Sequence, residues 1–405
     1  MTPRVAVLAT GSELMRGRSI DSHLAWLARR LESAGLEIDR HATFGDDLVR
    51  ITEGIRAAAE VSDVVILTGG LGPTEDDFTR RAAADAFGYP LVFLTSAWKS
   101  IQQRFRKYRI RMAAINRRQA YLPQGARLLP NPHGSAPGFA LDSRGVRFFA
   151  LPGPPREMHP MFDRFVLPAI VRAFPMRRRF RLWEGKTFGL PEGTVDEIVR
   201  PIVSRRRGAT YGLTVAGGTV NITVRVETGS PEPAARALRK ALGLHFVGPD
   251  SLEETVAALL ARKRKTIAVA ESCTGGLIAH KLTGVPGISA SLLEGCLAYS
   301  NASKTARLGV EPALLRRNGS VSAEVAAAMA EGMARTADAD IGVATTGIAG
   351  PSGGSKNKPV GLVFHAVHYR GRTRVERRVF PGERAFVKER AANLALDLVR
   401  RALLE

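Results

Sequence analysis

The sequence predicts an α/β protein of three domains: a doubly wound sheet first, a small α+β domain second, and a further α/β domain last. Two observations carry this reading. Short apolar runs alternate with helix-period segments at both ends of the 405-residue chain, which is the pattern of βαβ units around a largely parallel sheet. Two stretches then interrupt it, Pro168 to Arg181 and Gly248-Pro249-Asp250, where proline and glycine punctuate the elements. The domains so delimited are 1–172, 176–247 and 251–405, and a chain of this length can bury several cores.

In chain order, Arg4–Ala9 reads as a first strand, and Ser22 as the cap of a helix with Leu24, Leu27, Ala28 and Leu31 on one face. Ile51, Ile55 and Ala58 mark a second helix. The run Asp63-Val-Val-Ile-Leu-Thr68 is continuously apolar, as in a strand covered on both faces. It leads into Thr68-Gly-Gly-Leu-Gly-Pro-Thr-Glu-Asp-Asp77, with a helix pattern from about Thr79. The middle domain reads as strand 181–188, helix 192–204, alternating strand 221–227 and helix 231–242. In the last domain Thr266–Ala270 is a strand, Thr274–Leu282 a helix, and the closing helix carries Val387, Ala391, Leu394, Leu398 and Ala402 on one stripe.

Composition narrows the class. Hydrophobic residues make up 45% of the chain, and no apolar run approaches the roughly 20 residues of a membrane helix. The run Val5-Ala-Val-Leu-Ala9 is too short for a signal core. Two cysteines, Cys273 and Cys296, make no disulfide framework, and the eight histidines show no metal-ligand spacing. A cytoplasmic protein with no membrane partner is expected. Net charge is +21, with clusters at Arg177–Arg179, Arg205–Arg207 and Arg262–Lys265. These are scattered and carry little aromatic interleaving, so they read as solvated faces rather than a nucleic-acid surface. The same charge suits anionic nucleotides.

Three segments of the last domain carry chemistry: Ala270-Glu-Ser-Cys-Thr-Gly-Gly276, Ala298-Tyr-Ser-Asn-Ala-Ser-Lys304 and Thr345-Thr-Gly-Ile-Ala-Gly-Pro351. Ser272 at a strand-to-helix turn presents a hydroxyl near a helix N-terminus, where backbone N–H groups favour an oxyanion. A serine needs a neighbour to take its proton, and a desolvated neutral lysine such as Lys304 can do so. Tyr299 and Lys304 flank a strand end and are expected to face one cleft. Cys273 is a rival nucleophile, though a free cysteine beside a strand end is more often a small buried hydrophobe. The combination reads as an amidohydrolase.

In order and composition these segments resemble the C-terminal domain of the CinA (competence/damage-inducible protein A) family. The resemblance implies hydrolysis of nicotinamide mononucleotide to nicotinate mononucleotide and ammonia, a step in pyridine-nucleotide salvage, with no cofactor. It implies Ser272 as nucleophile and Lys304 with Tyr299 as its proton relay. Glu271, Thr274, Gly275, Gly276, Asn301, Thr346, Gly347, Gly350 and Arg384 are the expected substrate-binding residues. A homodimer is expected.

The N-terminal segment resembles the molybdopterin-binding fold of the same family, for which ADP-ribose pyrophosphatase activity is known. Matching stretches are Asn116-Arg-Arg-Gln119, Asn131-Pro-His-Gly-Ser-Ala-Pro-Gly138 and Leu151-Pro-Gly-Pro-Pro155. The nucleotide-binding residues expected there are Glu13, Gly69, Gly70, Gly72, Pro73, Thr74, Asn131, Gly134 and Gly153. Asp76 and Asp77 would hold Mg2+, which prefers carboxylate oxygens, and successive glycines would bring amides to a phosphate. One departure stands out: Gly11-Ser12-Glu13 where the family has Gly-Asp-Glu, which removes one carboxylate. Where the family has asparagine in the next helix, the chain has Asp21 or Ser22. The middle domain resembles the family's KH-like insertion, without a Gly-x-x-Gly clamp. The alternatives to deamidation are metal-dependent ADP-ribose cleavage in the first domain, and a non-catalytic binding role linked to DNA uptake or repair.

Overall fold

A computed structural model describes residues 3–175 and 180–405; the basic cluster at 177–179 lies outside the described residues. The chain forms two compact units, Met1–Phe180 and Arg181–Glu405. In the first, strands Ile38–Phe44, Val5–Thr10, Val64–Thr68 and Val146–Leu151 run parallel in that spatial order. Gly138–Ser143 and Arg127–Leu129 continue the sheet antiparallel. Separate apolar clusters cover the two faces, as the continuous apolar runs require. Helix Ser22–Ser33 buries Leu27 and Leu31. Its cap is Asp21 and not Ser22: the Asp21 carboxylate accepts the amides of His23 and Leu24 at 2.9 and 3.2 Å. A carboxylate there also faces the helix dipole, which a serine hydroxyl meets less strongly.

The second unit holds two sheets. An antiparallel sheet in the order Ala209–Ala216, Thr219–Val226, Arg181–Phe188, Phe246–Gly248 packs against helices Glu192–Ser204 and Glu232–Leu242. The strand Ala209–Ala216 and its Gly217-Gly218 turn had no counterpart in the sequence reading. The stretch expected as a linker begins inside the sheet, because Gly248 pairs with Lys186.

The other sheet runs Leu292–Leu297, Ile267–Glu271, Ile341–Gly347, Leu362–Tyr369, Arg372–Val379, the first three strands parallel and the last two antiparallel. The middle and last domains join along the closing helix, Arg384–Leu404. Asn393 Nδ2 donates to Gly217 O at 2.8 Å and Arg400 Nη1 to Phe246 O at 3.1 Å. Phe188 and Val247 enter the core of the last domain. The buried face of this helix is therefore wider than one stripe and includes Asn393, Asp397 and Arg400, whereas Leu398 and Ala402 are only partly covered.

Helix Ala323–Thr336 lies against the end of helix Asn301–Leu308, with Gly332 at the crossing. A Cβ on Gly332 would stand 1.9 Å from the Leu308 carbonyl oxygen, and backbone cannot yield as a flexible side chain does. Gly332→Ala is expected to destabilise the second unit by about 2–3 kcal/mol, read as a lower urea midpoint with unchanged slope. A wild-type midpoint would show that the two helices separate freely.

Candidate active site

Strands Ile267–Glu271, Leu292–Leu297 and Ile341–Gly347 are parallel, so their carboxyl ends lie along one edge of the sheet, where open α/β sheets place their ligands. Ser272 follows the central strand, and its amide donates to Thr345 O at 3.0 Å. The helix expected from Thr274 starts at Leu277, because Gly275 and Gly276 adopt φ of +63° and +90°, a region that favours glycine. Residues 272–276 are thus a tight turn at the strand end.

Lys304 reaches this turn from helix Asn301–Leu308. It is 1% exposed, and its Nζ lies 3.2 Å from Ser272 Oγ, 3.0 Å from Ala298 O and 3.1 Å from Tyr299 O. Burial lowers the pKa of its ammonium from the ordinary 10.5, with a smaller opposing effect from Cys273. A neutral amine has two N–H donors and one lone pair. In that form the two carbonyls can take both donors and leave the lone pair for the serine O–H. Cys273 does not compete: it packs among Ala349, Val363, Val387 and Ala391, and burial pushes its thiol up to about 12.

The other expected residues take different places. Tyr299 meets Lys304 through its carbonyl, not its phenol; the ring is exposed, and its hydroxyl accepts from Arg384 Nη2 at 3.3 Å. It does not stand between serine and lysine, so the relay expected of it is a direct contact instead. Arg384 also donates to Gly350 O at 2.9 Å, which brings Tyr299, Gly350 and Arg384 together. Glu271, expected at the substrate, is 2% exposed and accepts the amides of Ile278 and Ala279 at 3.2 and 2.9 Å, so it caps helix Leu277–Thr283. Thr274 Oγ1 bonds Thr345 Oγ1 at 2.7 Å, and Thr346 Oγ1 donates to Ser320 O at 2.7 Å. Both threonines are buried framework. Gly347 is tight packing, since a Cβ would meet Leu362 O at 2.6 Å. Asn301 is exposed at the start of its helix, which Ser300 caps. The amide of Gly275 is taken by Ser272 O, while those of Gly276 and Leu277 bond no acceptor among the described residues.

In the first unit a cavity of about 390 Å³ lies at the strand ends. Glu13, Gly69, Gly70, Gly72, Pro73, Thr74 and Gly153 line it. Asn131 and Gly134 shape the neighbouring loop instead: Asn131 Oδ1 accepts the amides of His133 and Gly134, and its Nδ2 donates to Glu157. Part of the amide cradle is used within the loop. Gly69 N donates to Leu151 O, and Gly72 N and Thr74 N to the Asp77 carboxylate at 2.7 and 2.8 Å. Five carboxylates line the cavity (Glu13, Asp46, Asp76, Asp77 and Glu157), and none of its lining residues is lysine or arginine. Like charge of that density disfavours a bare phosphate.

Of the two aspartates expected to hold Mg2+, Asp77 is engaged within the loop. Both oxygens of Asp77 serve the loop, and among the described residues no three His, Cys, Asp or Glu side chains gather as metal ligands. Ser12 exchanges hydrogen bonds with Asp46, amide to carboxylate at 2.9 Å and amide to hydroxyl at 3.1 Å. The carboxylate missing at position 12 therefore has a neighbour in Asp46, which the sequence reading did not single out. The Gly45-Asp-Asp47 turn after a strand was its only local signal.

Two family models match the chain, the CinA C-terminal domain over residues 249–403 and the probable molybdopterin binding domain over residues 6–172. A protein of Moorella thermoacetica named for competence-damage inducibility is 41% identical over 405 residues, 97% of each chain. The chain belongs to the CinA family. A CinA-like protein of Kosmotoga olearia is 38% identical over 410 residues, 99% of each chain. Among solved structures, the competence/damage inducible protein CihA of Agrobacterium tumefaciens is 36% identical, covers 38% of this chain and 98% of its own, and has a TM-score of 0.37. The α/β class and the molybdopterin-binding-like first domain of this CinA-family chain agree with these matches. No helix of the described residues is long and apolar enough to cross a membrane.

Capping by Glu271 has a measurable consequence. Glu271→Ala leaves two helix amides, one of them buried, without an acceptor and is expected to cost about 2 kcal/mol, seen as a lower unfolding temperature. Glu271→Gln should recover part of the loss through its single carbonyl. Unchanged stability in Glu271→Ala would remove the capping role.

Proposed function

We propose that the C-terminal domain hydrolyses the carboxamide of nicotinamide mononucleotide, giving nicotinate mononucleotide and ammonia. The observation that carries this reading is the buried amine of Lys304 in direct contact with Ser272 Oγ. Among the described residues no histidine hydrogen-bonds either group, so the lysine itself is the base. Its Nζ takes the serine proton as Oγ attacks the amide carbon. The amides of Gly276 and Leu277, which bond no acceptor among the described residues, are donors the turn can offer the oxyanion. The tetrahedral intermediate collapses with the proton passing from Lys304 to the departing nitrogen, and ammonia leaves. Water, deprotonated by the same amine, then attacks the acyl-enzyme and frees Ser272. The family membership and the position of the site at the strand ends support this reading.

Ser272→Ala is expected to lower ammonia release from nicotinamide mononucleotide by several orders of magnitude with unfolding unchanged, while Cys273→Ala keeps most of the turnover. Loss of activity in Cys273→Ala but not in Ser272→Ala would reverse the nucleophile assignment.

Lys304 works as a neutral base, so kcat/KM should fall as pH drops through its lowered pKa and level off above it. Lys304→Arg keeps the charge and cannot lose its proton; it is expected to be inactive from pH 6 to 10. An active arginine variant would exclude lysine as the base.

A further inference from the structure

Gly275, in the turn that carries Ser272, has a close neighbour that the mechanism leaves unused. The Nζ of Lys388 lies 3.2 Å from where a Cβ on Gly275 would stand, and its Cε 3.6 Å. Lys388 sits on helix Arg384–Leu404, one turn after Arg384, so the two side chains share a helix face. Their circumstances differ. Arg384 is engaged with Gly350 O and the Tyr299 hydroxyl. Lys388 is half-buried and makes no hydrogen bond or ion pair with any described residue. A cation held against a catalytic turn without a protein partner is arranged for an anion that is not part of the chain.

We propose that Lys388 binds the phosphate of a mononucleotide substrate and so distinguishes it from the corresponding nucleoside. This rests on the deamidase reading for the identity of the substrate. Three features point to phosphate and not to the oxyanion. Lys388 comes from the helix that covers Cys273 through Val387 and Ala391, whereas Lys304 approaches Ser272 from helix Asn301–Leu308. Lys388 shares its helix face with Arg384, which contacts the exposed Tyr299, so the two cations flank the open side of the site. The phosphate is the one group of a nicotinamide mononucleotide that carries formal negative charge in the ground state, and a permanent cation serves it better than it serves a charge formed only in passing. Gly275 keeps the approach open: a side chain there would occupy the space beside the ammonium, and φ of +63° already disfavours one.

The experiment compares wild type, Lys388→Ala, Lys388→Gln and Lys388→Arg on nicotinamide mononucleotide and on nicotinamide riboside, with unfolding curves for each variant. Lys388→Ala and Lys388→Gln are expected to raise KM for the mononucleotide by about 10- to 100-fold with kcat within a few-fold of wild type. The riboside kinetics should not change, inhibition by inorganic phosphate should weaken, and Lys388→Arg should recover most of the affinity. Equal loss of kcat on both substrates would make Lys388 an oxyanion group and overturn the proposal, as would an unchanged KM. Binding of the mononucleotide to Ser272→Ala and to Ser272→Ala/Lys388→Ala, measured by calorimetry, separates this from the chemistry. If wild type releases no ammonia, the deamidase reading fails. The phosphate site still stands if the second variant binds at least tenfold more weakly than the first, and falls if neither binds or both bind alike.

Discussion

A lysine amine kept out of water beside a serine hydroxyl is the constraint on which the C-terminal domain is arranged. Burying an ammonium is costly, and the cheaper state is the neutral amine with its donors satisfied. Two consecutive carbonyls, Ala298 O and Tyr299 O, satisfy them. They follow strand Leu292–Leu297 immediately, and the lysine comes back to them within the first turn of the next helix. Parallel pairing of that strand with Ile267–Glu271 then brings the amine to Ser272. Gly332 lets helix Ala323–Thr336 close over the end of the lysine's helix.

The two glycine loops of this protein look alike in sequence and differ in how they are braced. In the first unit the loop is cross-braced: Asp77 accepts from Gly72 and Thr74, Arg80 donates to Leu71 O and Gly72 O at 2.6 and 2.9 Å, and Thr79 Oγ1 donates to Gly69 O at 2.8 Å. In the second, Gly275 and Gly276 bend the chain, and the amides of Gly276 and Leu277 are left over. The side-chain bracing stiffens the first loop, and the donors left over in the second are equipped to meet a charge that develops during a reaction.

The closing helix does two jobs along its length. Its first turns hold Arg384 and Lys388 beside the serine turn, and its later turns bind the middle sheet. There Asp397 and Arg400 are both buried; Arg400 Nε donates to Asp397 at 2.9 Å while its other nitrogens reach the carbonyls of Phe246 and Leu244. Burial raises the Asp397 pKa, and the arginines oppose that shift. Such a pair adds little net stability compared with apolar packing, but removing Asp397 would leave the Arg400 charge buried without its carboxylate. It fixes the register between the helix and the strand Phe246–Gly248, and with it the join between the two sheets of the second unit.

Much of this was legible in the sequence. The strands at Val5, Val64, Arg181 and Ile267, the amphipathic helices and the α/β class follow from periodicity, which neighbouring residues encode. Ser272 and Lys304 stood out through the order of the three segments that resemble the CinA C-terminal domain, because a serine beside glycines at a strand end is by itself ordinary turn chemistry. What the sequence could not decide was partnership. Whether Lys304 meets Tyr299 by its ring or its carbonyl, whether Glu271 faces substrate or caps a helix, and whether the amides at Gly72 and Thr74 are free all depend on which atoms arrive from elsewhere. The same holds for Asp77, which reads as a metal ligand and is a loop brace. Hydrophobic period is a local property of the chain. The partner of a buried polar atom is set by the order of strands and the crossing of helices, which only the tertiary structure determines, because the cost of leaving that atom unpaired is met wherever the fold supplies a match.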